Sequence, residues 1–153
     1  MLVRLLYASR AVDNVSQEEL LSILSQSKAN NPESGITGAL CASGHVFLQL
    51  LEGGRMQVNA LYNHIAADPR HRDVVILSYE EISERKFAGW SMGLVNLERV
   101  NPSLLLKYSE GTTLDPYGVS GRASMALLDE LMATASIMGQ ASFTASAARP
   151  QLT

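Results

Sequence analysis

Apolar positions along this chain switch between a two-residue and a helical period, and each switch marks a change of element. Leu2 to Ala8 is apolar apart from Arg4, with Val3, Leu5 and Tyr7 on one face, which predicts a first strand. Ser16 and Glu19 have the spacing of a capping box, and Leu20, Ile23, Leu24 and Ser27 form a helical stripe that Asn30-Asn31-Pro32 ends. Ile36 to Ala42 and Val46 to Leu51 read as strands around the turn Ser43-Gly44-His45, with Glu52-Gly53-Gly54 closing the hairpin. Val58, Leu61, Tyr62 and Ile65 recur at helical spacing until Asp68-Pro69 stops them. Val74 to Tyr79 predicts a fourth strand and Ser91 to Asn96 a short fifth.

The resulting order, β-α-β-β-α-β-β, is an α+β arrangement: the ferredoxin-like split β-α-β with one added strand. Two helices are expected on one face of the sheet. Leu6, Leu40 and Leu48 are expected on the other face, which the tail would cover. In the tail, Asn101-Pro102 is a cap followed by proline at the first helical position, and Leu104-Leu105-Leu106 continues that helix. After a loop over Glu110 to Gly118, Ala123 to Met138 carries Leu127, Leu128, Leu131 and Met132 at helical spacing and stops at Gly139. The chain thus divides into a domain at 1–97, a helical extension at 98–140 that caps the sheet, and a small, polar segment at 141–153 expected to be disordered.

Composition narrows the function classes. With 153 residues, 46% hydrophobic and 18% charged, the chain suits one globular domain plus an extension. A net charge of −3 argues against nucleic acid, whose binders carry a basic face. Arg4 breaks the first apolar run and no run nears the roughly 18 residues of a membrane span, so a cytoplasmic protein is expected. Cys41 is alone and reads as a buried small hydrophobe. His45, His64 and His71 fall on a turn, a helix and a loop without ligand spacing, so no metal site is expected. No phosphate-binding loop, dinucleotide fingerprint or nucleophile elbow occurs, and no carboxylate pair invites general acid–base work.

Polar residues set into apolar strands say more. Gln49 interrupts Val46-Phe47-Leu48-Gln49-Leu50-Leu51, and an amide buried without partners costs roughly 1–3 kcal/mol. It shares a face with Phe47 and Leu51, as Tyr7 does with Val3 and Leu5 on a strand that this fold places next door. Asn30 and Asn31 end the first helix beside the hairpin. Four amide or phenol groups would then converge between helices and sheet, a site suited to a planar heterocycle with its own imide and carbonyls. Each has a plainer reading by itself. A Tyr–Gln pair is commonly a satisfied structural network, Asn-Asn-Pro a helix stop, Trp90 a strand anchor and Asp68-Pro69-Arg70-His71-Arg72 a solvated loop.

Together, five separated segments resemble a BLUF domain, the flavin-binding blue-light receptor module. They are Leu5-Leu6-Tyr7-Ala8-Ser9; Asn30-Asn31 with Gly35-Ile36-Thr37-Gly38-Ala39-Leu40; Phe47 to Gly53; Asp68-Pro69-Arg70-His71; and Phe87-Ala88-Gly89-Trp90-Ser91-Met92. The resemblance covers Leu2 to Leu97 and implies FAD as cofactor, with FMN or riboflavin fitting the same ring contacts. It implies that Tyr7 gives an electron and proton to the excited flavin and that Gln49 bridges Tyr7 and the flavin edge. Asn31 and Asn30 would bind the pyrimidine end, Ile23 would pack on the ring, and Arg70 with His71 would meet the outer cofactor moiety. Trp90 and Met92 would be signalling residues that exchange proximity to Gln49, with the order between them open. The resemblance is to short stand-alone members, which implies no enzymatic activity, a downstream protein partner and a homo-oligomer. A flavin redox enzyme and a ligand-free interaction module are the competing classes; neither a substrate-facing acid, base nor nucleophile supports the first.

Overall fold

The computed structural model describes residues 1–13, 22, 30, 33–97 and 100–133. Its strands are β1 (Leu2–Ala11), β2 (Thr37–Ser43), β3 (Val46–Gly54), β4 (His71–Ile82) and β5 (Gly93–Asn96). They form one five-stranded sheet in the order β4-β1-β3-β2-β5. All pairings are antiparallel except that of β2 with β5. Helix α1 (Arg55–Ala66) links β3 to β4; α2 (Pro102–Tyr108) and α3 (residues 121–133) follow the sheet. This is the ferredoxin-like α+β fold with a fifth strand. The expected first helix lies almost wholly outside the described residues, as does the end of the tail helix with Met138.

The sheet separates two cores. Val3, Leu5, Tyr7, Phe47 and Leu51 face α1, whose Val58 is wholly buried and whose Leu61, Tyr62 and Ile65 pack alongside. Leu6, Leu48 and Leu50 face the tail, against Leu127, Leu128, Leu131 and Met132 of α3. Full burial of side chains such as Leu128 and Leu131 contributes about 1.5–3 kcal/mol each. The tail helices begin as their sequence requires. Asn101 Oδ1 accepts from Ser103 N at 3.0 Å, with Pro102 in the first turn, and Ser120 Oγ accepts from Ala123 N at 3.0 Å. Gly121 lets α3 approach β4: a Cβ there would lie 2.1 Å from the Leu77 carbonyl oxygen.

Two expectations fail, both over register and length. Leu40 packs with Tyr7 and Leu51 on the α1 face, not with Leu6 and Leu48. The hairpin loop is Gly44-His45 alone, with Ser43 paired to Val46, so Leu40 stands opposite Gln49. Gly44 at φ 58° takes the glycine position of a two-residue turn. A three-residue loop would have set Leu40 against Leu48, and a one-residue slip reverses every face. Glu52-Gly53-Gly54 also does not close the hairpin; it extends β3, pairing with Arg4-Val3-Leu2.

Candidate functional site

The site grows from one pairing. Tyr7 and Gln49 are direct partners across β1 and β3, and both point into the α1-facing core. Each is nearly sealed from solvent, at 2% and 6% exposed. The Tyr7 hydroxyl donates to Gln49 Oε1. Tyr62 of α1 meets the Tyr7 ring edge-on, with centroids 5.7 Å apart and planes at 74°. Burial first, and the neighbouring Tyr62 second, push the Tyr7 pKa up, so the phenol holds its proton firmly in the resting protein.

The other end of the amide has a weaker partner. Gln49 Nε2 donates to the Met92 thioether sulfur at 3.5 Å, and Met92 is wholly buried in the same core. A thioether is a poor acceptor, and a primary amide has two N–H donors and a carbonyl with two lone pairs. The amide is therefore held, with bonding capacity left over.

Trp90 lies on the opposite side of this arrangement. It packs against the tail-facing core, where a Cβ on Gly93 would come within 2.9 Å of both Trp90 Cε3 and Met132 Cε. The order left open by the sequence is thus Met92 beside Gln49 and Trp90 beside α3. The Trp90 backbone is tied at both ends: its N–H donates to the Phe87 carbonyl at 3.0 Å and its carbonyl accepts from Gly38 N at 3.1 Å.

The remaining expected site residues are more dispersed. Arg70 is exposed and grips Asp68, with Nη2 2.7 Å from Oδ2 and a further bond from its backbone N–H. These bonds hold the Asp68 carboxyl down at about 2. His71 opens β4, and its Nδ1 lies 3.1 Å from Ser9 Oγ, with the ring tilted over Phe47 at 5.3 Å. Burial lowers its pKa, Asp68 opposing and Arg70 assisting. Asn30 is exposed; its carbonyl accepts from Ser34 Oγ at 3.3 Å. Ile23 and Asn31 lie outside the described residues. Among the described residues no cluster of potential metal ligands occurs, and no helix is long and apolar enough to cross a membrane.

One buried residue escaped the sequence reading. Glu52 has no exposed surface, and its carboxylate binds Arg4 and the backbone N–H groups of Lys86 and Phe87. A signal existed: Arg4 interrupts one apolar run, and Glu52, of opposite charge, ends another.

The chain matches the family described as sensors of blue light using FAD over residues 2–93. It is 35% identical over 97 residues to the blue light- and temperature-regulated antirepressor BluF of Escherichia coli (strain K12), covering 63% of this chain and 24% of that protein. Over 86 residues it is 40% identical to the photoactivated adenylate cyclase subunit alpha of Euglena gracilis, covering 56% of this chain and 8% of that one. The chain thus spans a quarter or less of these curated relatives. Two solved structures match nearly end to end. The photo-activated state of BlsA is 33% identical with a TM-score of 0.74, covering 86% of this chain and 95% of that one. The dark state of BlrB, a BLUF protein, is 31% identical with a TM-score of 0.73, covering 88% and 96%. With the matched segment spanning both the Tyr7–Gln49 pair and Met92, the chain belongs to the BLUF family of blue-light sensors, whose cofactor is FAD.

Proposed function

We propose that the chain is a blue-light photoreceptor in which the Gln49 amide is the moving part. The observation that carries this reading is the amide's position between the Tyr7 hydroxyl and the Met92 sulfur. The donor set fits a flavin edge: a buried phenol and an amide with unused donor and acceptor capacity, on one face of one sheet. Tyr7 and Gln49 would hold the redox-active side, Asn30, Asn31 and Ile23 the ring, and Arg70 with His71 the outer moiety. Bound FAD supplies absorption of blue light and, once excited, a strong pull on a nearby electron.

Tyr7 is the group that yields to it. Its raised pKa keeps the proton in place until the electron leaves; an oxidised phenol is strongly acidic. Gln49 Oε1 accepts the Tyr7 hydrogen bond, so the amide would pass that proton on toward the bound flavin as the electron goes the same way, leaving Gln49 neutral. Rotating the amide, or passing to its imidic tautomer, exchanges donor and acceptor ends without moving the strand. The N–H···S bond to Met92 is then lost, and Met92 is released from Gln49. Such a switch needs two arrangements of similar energy, which a flexible thioether provides.

Residues 1–97 are on this reading the light-sensing unit and residues 98–140 the element that passes the change on. Output would pass to a downstream protein partner, with a homo-oligomer as the working form; the likeness to BlrB, titled simply a BLUF protein, is in keeping with a sensor. The purified protein is expected to be yellow and to show a small reversible red shift in blue light. Tyr7→Phe should bind flavin and lose the shift. A colourless protein that takes up no added FAD, or a Tyr7→Phe variant that still shifts, overturns the proposal. Steady flavin turnover with NAD(P)H in the dark would point to a redox enzyme instead.

A further inference from the structure

Three residues beyond Gln49 on β3, on the opposite face of the sheet, Glu52 is wholly buried. Arg4 stands across from it on β1 and Glu80 across from Arg4 on β4, so a row of alternating charge crosses three strands. Arg4 Nε donates to Glu52 Oε2 at 2.8 Å, Arg4 Nη2 lies 2.7 Å from the same oxygen, and Arg4 Nη1 donates to Glu80 Oε1 at 2.8 Å. Burial alone would lower the Arg4 pKa, but the hydrogen bonds to Glu80 and Glu52 outweigh it and the net shift is upward.

The rest of the Glu52 carboxylate is spent on backbone. Lys86 N donates to Oε2 at 3.0 Å and Phe87 N to Oε1 at 2.8 Å. Arg85 braces the same place, with Nη1 3.0 Å from Thr37 Oγ1 and 3.4 Å from the Glu52 carbonyl. A buried carboxylate persists only where it is paired and hydrogen-bonded this fully. What it holds is the start of the segment that carries Trp90 and Met92. Phe87 also puts its side chain into the tail-facing core with Leu127, Leu128 and Leu131, while its carbonyl accepts from Trp90 N.

We propose that Glu52 is the positioning residue that fixes the backbone at 86–87, so that displacement of Met92 is passed to Trp90 and α3. Without a fixed point at 86–87, a release at Met92 can be absorbed in the 86–89 stretch ahead of the Trp90–Gly38 bond, and less of it reaches the tail. Charge-assisted bonds to two successive N–H groups resist that movement. The inference rests on the amide switch proposed above, and its test separates the two.

The test compares the FAD-loaded protein with Arg4→Met/Glu52→Gln, which removes both charges together and leaves no buried ion unpaired. Light-minus-dark spectra report the amide switch; hydrogen exchange over residues 121–133, in darkness and under blue light, reports the tail. The double variant should keep the full red shift and lose about tenfold of the light-induced change in exchange, the effect of roughly one lost charge-assisted bond. A tail response of wild-type size overturns the inference, as does loss of the red shift itself. No shift in the wild type sinks the switch reading first. Should the double variant not fold, Lys86→Pro deletes one of the two N–H donors with Arg4 and Glu52 intact, and the same outcomes decide.

Discussion

Gln49 and Glu52 sit three residues apart on one strand, both buried and both polar, yet they are held in opposite ways. Gln49 has a phenol at one end and a thioether at the other, so its bonds are few and one is weak. Glu52 has a guanidinium and two backbone N–H groups converging on its carboxylate. The first arrangement can be reversed at small cost; the second cannot. On the proposed reading the sheet switches on one face and stays rigid on the other, and alternation along β3 delivers the two residues to opposite sides.

The comparison predicts a ranking. Glu52→Ala should be the most damaging change, because it leaves the buried Arg4 guanidinium with Glu80 alone and the Lys86 and Phe87 N–H groups without their acceptor; roughly 3–5 kcal/mol is expected in urea unfolding. Gln49→Leu should cost less, roughly 1–3 kcal/mol for the orphaned Tyr7 hydroxyl, while abolishing the red shift completely. Equal losses of stability would mean that Gln49 is as much a structural lock as Glu52, and the contrast would fail. Gly93→Ala should cost roughly 1–3 kcal/mol for overpacking, since the Met132 terminus can yield but the Trp90 ring cannot. Its dark-state spectrum should stay unchanged while Trp90 fluorescence shifts.

The smallest effect concerns pH. His71 has a folded-state pKa below its ordinary 6.5, so the unfolded chain binds a proton more readily. Stability should therefore be intact above pH 6.5 and decline as pH falls below it, levelling off beneath the folded pKa. His71→Phe should flatten that slope in unfolding midpoints measured between about pH 5 and 7. An unchanged slope would assign the acid sensitivity elsewhere.

Much of this was legible in the sequence because strands expose their period. Val3, Leu5 and Tyr7 share a face as their spacing requires, and so do Phe47, Gln49 and Leu51. The Leu127, Leu128, Leu131 and Met132 stripe likewise buries where helical spacing puts it. Leu40 shows the limit: its own strand was read correctly, but its face depends on a loop length that differs by one residue between two plausible turns. Glu52 shows another. A charge followed by two glycines reads as a turn, and only its partner Arg4, the third residue of β1, turns it into a core residue. The resemblance puts Arg70 and His71 together at the outer cofactor moiety, yet they carry different local bonds, one to Asp68 and the other to Ser9.

At the bare Cα of Gly93 the Trp90 ring and the end of Met132 converge, each within 2.9 Å of where a Cβ would stand. If light moves Trp90 and the movement reaches Met132, the coupling is reciprocal. Whatever factor illumination applies to a partner's affinity for the tail, the bound partner must apply to the balance between lit and dark protein. A partner that favours the lit arrangement would then enrich it at equilibrium in continuous darkness, and would do so with no photon absorbed. The receptor would report its occupancy through its own colour.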